Sequence, residues 1–143
     1  MLRFLRHRHG QAYIEFILIL PLVLILLAGV IFFGRILYLK IALDMASYDG
    51  VRAAVEALDQ AAGINQGTVA ARATLEGFHI NAQGAAVSIT PMGPWERGQQ
   101  VCCRITYNLT VGDIPFVGAF YPHGGFHVSS MTCSRVETLR SEW

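Results

Sequence analysis

Charge is scarce in this chain, and the chemistry that depends on charge is thin. Lys, Arg, Asp and Glu together make up 15% of the 143 residues. No paired-carboxylate motif, Gly-x-Ser-x-Gly turn or phosphate-cradling Gly-rich loop with a following Lys is present. The five His are scattered, and His123 and His127 lie in a Gly-rich stretch with no Cys or acid placed to complete a tetrahedral set. No metal, other cofactor, small-molecule substrate or enzymatic activity is therefore expected, and so short a body has little room for a lined catalytic pocket. A basic stripe is also missing. Three of the eleven basic residues are Arg3, Arg6 and Arg8; beyond Gly10, eight basic residues face ten acidic ones. Such a body is a poor match for phosphate neutralisation, so nucleic acid is not an expected partner. There are no internal repeats or low-complexity segments, and the length allows one compact domain beside a membrane segment.

Apolar sequence is abundant, at 53% of residues, and much of it is concentrated near the N-terminus. Residues 16–33 contain no charge. As a helix this run is about 27 Å long, close to a hydrocarbon core of about 30 Å, and residues 11–34 would cross it with some tilt. The run overshoots the apolar region of a secretory signal, roughly 7 to 15 residues, and continues past Arg35 into more helical sequence. Arg3, Arg6 and Arg8 precede the span, whereas Arg35, Lys40 and Arg52 beyond it are mixed with Asp44 and Asp49. The positive-inside rule puts the N-terminus in the cytoplasm and the remainder outside. A plain signal anchor accounts for this much. It does not account for Glu15, because a carboxylate in an apolar run is a functional candidate: at a bilayer centre an acid costs about 2.5 to 3.5 kcal/mol.

Gly10 closes the short basic leader, Gln11 follows, and Glu15 comes five residues after Gly10. This spacing resembles the processing site of type IV prepilins. Ala12 to Phe16, then Leu20, Pro21 and Leu22, then Phe33, Gly34 and Arg35, and finally the Ala-rich stretch around Arg52, Ala53 and Ala54 look like the TadE-like group of the tight-adherence pilus system. The likeness covers roughly residues 10 to 55. It implies a cut between Gly10 and Gln11 by a membrane prepilin peptidase. It also implies that Glu15, beside Phe16, pairs with the freed amine of a neighbouring subunit, which would offset the burial of both charges. The expected function is that of a minor pilin or pseudopilin in the bacterial inner membrane, meeting other pilin subunits and the assembly platform of an adhesive pilus. The alternative is an uncleaved single-pass accessory protein that scaffolds such a machine, and processing separates the two. Tyr13 and Gln11 depart modestly from the group's pattern, leaving open whether the Gln11 amine is modified. Pro21 lacks a backbone donor, so a helix kink is expected there.

Four regions are expected: a cytoplasmic leader at 1–10, the transmembrane helix at 11–34, its extracytoplasmic continuation at 35–60, and a small body at 61–143. The helix should run to about Leu58, with Gly63, Asn65 and Gly67 stopping it, and a second short helix should start at Gly67 and Thr68 and end at Gly77. Alternation then takes over, with Ala85, Val87 and Ile89 on one face, followed by Val101, Cys103, Ile105, Tyr107, Leu109 and Val111. A last strand is expected from about Phe126 to Glu137. The fold class is α+β: a long N-terminal helix packed on a small antiparallel sheet of about three strands. Of the three Cys, Cys103 with Cys133 is the preferred pair, Cys102 with Cys133 the second, and unpaired thiols a third possibility. Trp95 and the aromatic stretch 116–126 are expected in the core, with a partner surface as the other reading.

Overall fold

The computed structural model describes residues 8–110 and 125–136, with side chains from Tyr13 onward. The leader before residue 8, the connection at 111–124 with Val111, Phe116 and His123, and Glu137 lie outside the described residues.

The first helix, α1, runs from Arg8 to Val55 without a gap in assignment at Pro21. Its 48 residues correspond to about 72 Å, more than twice what a bilayer core requires. The chain then turns through residues 56–59. Asp59 caps the second helix, α2 (Gln60–Gly77), its side chain accepting from the Ala62 amide at 2.6 Å and satisfying one of the donors a helix start leaves open.

The expected break at Gly63, Asn65 and Gly67 does not occur, since all three lie inside α2. Glycine is costly in a lone helix, but here it permits contact that a side chain would block. A Cβ on Gly67 would stand 2.5 Å from the Gly50 carbonyl oxygen, and one on Gly63 would stand 2.6 Å from the Trp95 ring. Ala46, Gly50 and Ala54 supply the matching small residues on α1, and Ala46, Ala54 and Ala71 are fully buried.

Three strands follow: β1 (Ala85–Pro91), β2 (Gln100–Thr110) and β3 (Gly125–Arg135). They form one antiparallel sheet in the order β1-β2-β3. The alternation places Ala85, Ile89, Val101, Cys103, Ile105 and Leu109 in the core with Leu39, Leu43, Val51 and Leu75 from the helices. Ser88, Thr90, Arg104 and Asn108 stand exposed on the opposite face. The α+β class and the three-stranded antiparallel sheet are therefore as expected. Burying one Leu completely, as at Leu43 and Leu75, contributes about 1.5 to 3 kcal/mol.

The disulfide joins Cys102 to Cys133 and leaves Cys103 free and buried, correcting the preferred Cys103–Cys133 pair. Cys102 lies directly opposite Cys133 in the β2–β3 register. Cys103 projects from the other face of the sheet, where its Sγ would meet a Cβ on Gly50 at 3.0 Å, so it packs into the helix layer and cannot reach Cys133.

The core extends to both ends of the body. At the end nearer the apolar half of α1, Phe32 meets Phe126 of β3 with ring centroids 5.6 Å apart. Slightly further along, the Tyr38 hydroxyl donates to the Phe78 carbonyl at 2.9 Å, where α2 ends. At the far end, Trp95 packs over Gly63, in line with its expected place in the core. Its Nε1 is buried without a hydrogen-bond partner among the described residues.

Candidate membrane and assembly surface

The candidate site is the uncovered surface of α1. Among the described residues this is the one helix long and apolar enough to cross a membrane. From Tyr13 to Leu27 every side chain is exposed, including Ile17, Leu18, Leu22 and Ile25 at 67 to 74%. Apolar exposure on all sides suits a helix surrounded by lipid. Glu15 and Phe16 lie at the start of this stretch, one turn beyond Gln11, and Phe16 is exposed. The backbone of Gly10 and Gln11 belongs to α1, while their side chains lie outside the described residues.

Beyond the apolar run, α1 becomes two-faced. Leu39, Leu43, Ala46 and Gly50 face the body and are buried. On the opposite side, Leu37, Ile41, Met45 and Tyr48 remain about half exposed. Their spacing of three and four residues makes them one stripe. Gly34 heads it, and a Cβ there would meet nothing within 4 Å. Water normally faces polar side chains on the outer side of a helix, so this stripe is a surface with contact still to make.

A polar seam fixes the helix against the sheet. Ser47, fully buried, donates to the Asp44 carbonyl at 2.9 Å and accepts from the Thr132 hydroxyl at 2.7 Å, with the Ser130 hydroxyl 3.2 Å away. Ser130 also donates to the Asp44 carboxylate. Lys40 reaches the same carboxylate at 3.0 Å and the Ser129 carbonyl at 2.9 Å. The Ser130 hydroxyl, the largest influence, holds the Asp44 carboxyl below its usual range against the opposing effect of burial, with Lys40 helping through its hydrogen bond and charge. Buried hydroxyls paired in this way leave no orphaned donor and set the register of α1 on β3. No sequence motif marks this group, although Ser130 and Thr132 occupy inward positions on an alternating strand.

Burial pushes the Cys103 thiol up to about 11, which leaves it almost wholly protonated at neutral pH. A shallow depression between the end of α1 and β3, lined by residues such as Tyr48, Arg52, Thr132 and Arg135, contains no carboxylate, His or free thiol.

Neither the curated proteins nor the solved structures include a match to this chain. One family model does match, over residues 10–52, and its description is TadE-like protein. The match begins at Gly10, takes in Glu15 and Phe16, and ends at Arg52, three residues before α1 does, so it coincides with the helix that forms the exposed surface. Over this segment, under a third of the chain, the sequence is similar to the TadE-like family, consistent with a TadE-like protein of the tight-adherence system.

Proposed function

We propose that the chain is a minor pseudopilin, stored in the bacterial inner membrane and taken into, or priming assembly of, an adhesive tight-adherence pilus. Prepilin peptidase cuts between Gly10 and Gln11 on the cytoplasmic side. The N-terminus then sits in the cytoplasm and the body outside, as Arg3, Arg6 and Arg8 favour. Glu15 pairs with the Gln11 amine of a neighbouring subunit during assembly, with Phe16 beside it. Pro21 lets the helix bend while subunits pack.

The observation that carries this reading is the stripe of Leu37, Ile41, Met45 and Tyr48. About 20 residues suffice to span a bilayer, so an apolar face that continues well past Gly34 on a 48-residue helix lies beyond the lipid. Helices of other pilin-like subunits fit such a face, since apolar stripes pack side by side. Gly34, where a Cβ would meet nothing within 4 Å, allows close approach where the stripe begins.

Photoreactive residues at Ile41 and Met45, in cells expressing the whole pilus system, test the reading. Adducts with pilin-like subunits that disappear in Glu15→Ala are expected, with no such adducts from the buried Leu43. Absence of any protein adduct from Ile41 and Met45, with the protein present in the membrane, would contradict it.

A further inference from the structure

The body is attached to α1 at a definite height, and that height coincides with the edge of the apolar run. Counting about 20 residues from Phe16 puts the outer limit of the hydrocarbon near Arg35, the first charged residue after Glu15. Phe32 lies one turn before that limit. Its ring meets Phe126 at 5.6 Å and 62°, and Phe33 at 5.7 Å. Phe126 is thus held at the depth of Phe32, although it belongs to the sheet. Yet 47% of Phe126 and 65% of Phe33 are exposed, so the body covers neither.

Beyond this point polar side chains appear on both elements where they face each other. Three residues further along β3, the Ser129 carbonyl accepts from Lys40, and Ser130 joins the seam with Asp44 and Ser47. At about 3.3 Å per strand residue, the seam stands roughly 10 Å above Phe126. On another side of the helix, Tyr38 stacks edge-on with Phe78 at 5.9 Å, half exposed, with its hydroxyl bonded to the Phe78 carbonyl. Aromatic rings that carry a hydrogen-bonded polar end are what the membrane interface favours.

We infer that Phe126, which packs on Phe32 of α1, rests in the outer headgroup–acyl boundary of the bilayer, so that the stored subunit touches the membrane through its sheet as well as through its spanning helix. The partner is the lipid interface, which accepts apolar rings inserted by roughly 5 to 10 Å. This second contact sets the tilt of the body over the membrane, and the subunit must give it up on leaving the bilayer. The inference rests on α1 spanning the membrane, and the experiment separates the two.

The full chain, carrying Trp143→Phe to reduce background, is reconstituted in phosphatidylcholine vesicles. Phe126→Trp is compared with Leu24→Trp at mid-span, using lipids brominated near the head or near the end of the acyl chain, and aqueous iodide. The fluorescence added by Phe126→Trp should be lost mainly to bromine near the head, and that of Leu24→Trp mainly to bromine near the chain end. Quenching of Phe126→Trp by iodide alone places the ring in water and overturns the inference. Quenching by neither agent means that protein, such as a second copy, covers the ring, and overturns it equally. If Leu24→Trp also escapes bromine, the spanning reading falls too; if Phe126→Trp alone escapes, only the lipid contact of the sheet falls. Should Phe126→Trp fail to fold, a photoreactive Phe analogue at position 126 gives the same decision by forming or not forming a lipid adduct.

Discussion

Replacing Gly67 with Ala should force α1 and α2 apart. A methyl group there would stand 2.5 Å from the Gly50 carbonyl oxygen, 2.5 Å from Ile89 Cδ1 and 3.0 Å from Ala54 Cβ. Ile89 could swing aside, but the carbonyl is backbone, so relief means separating two helices that also pack through Ala54 and Ala71. Overpacking of this kind costs about 1 to 3 kcal/mol, and a backbone obstacle puts the cost near the upper limit, while Ala returns about 1 kcal/mol of helix propensity. A net loss of about 2 kcal/mol remains, or roughly 10 °C in Tm for a body of this size. Thermal melting in detergent, followed by Trp95 emission because Trp95 packs over α2 at Gly63, measures it. Gly77→Ala is the control: a Cβ there would meet nothing within 4 Å, and the change should be neutral or stabilising by up to about 1 kcal/mol. A Gly67→Ala protein as stable as the parent would refute the packing argument.

Three further outcomes follow from particular contacts. Cys133→Ser opens a bridge between residues 31 apart in sequence and should cost about 3 to 4 kcal/mol in denaturant melts; a loss under 1 kcal/mol would mean that the bridge constrains little. Under non-reducing conditions alkylation should label no thiol in the native protein and one in the denatured protein, because Cys103 is buried and its thiol is pushed up to about 11; native labelling at pH 8 would contradict this. Asp44 is lowered from its ordinary 3.8, so its stabilisation is complete above that pH and is lost as the pH falls through the lower folded value. Ser130→Ala should therefore destabilise the protein at pH 7, with the difference from the parent narrowing as the pH falls below about 4; a difference that grows with acid would assign the effect to another group.

Much of the architecture was legible in the sequence because periodicity reports burial. The charge-free run could only be a lipid-facing or wholly buried helix, and the alternation through Ile105, Tyr107 and Leu109 could only be a strand with one covered face. Local signals misled where a tertiary contact reversed their meaning. Gly63 and Gly67 read as helix breakers, yet α2 keeps them because Trp95 and the Gly50 carbonyl occupy the space of their side chains. Cys103 was placed on the inner face, and that is where it lies. The same placement denies it Cys133, which the register sets opposite Cys102. The seam of Ser47, Ser130 and Thr132 was hidden because short hydroxyl side chains do not mark one face over another until their partners are in place. The exposed stripe on α1 was hidden for a related reason. Apolar residues on both sides of a helix do not reveal which side the sheet takes.

The central claim, that this is a processed pilin-like subunit, is tested most directly by its N-terminal residue and intact mass after purification from membranes, with and without prepilin peptidase and with a Gly10→Ala variant alongside. A chain beginning at Gln11, dependent on both the peptidase and Gly10, is the predicted result. A chain that keeps its leader in every sample would contradict it, leaving an uncleaved membrane anchor.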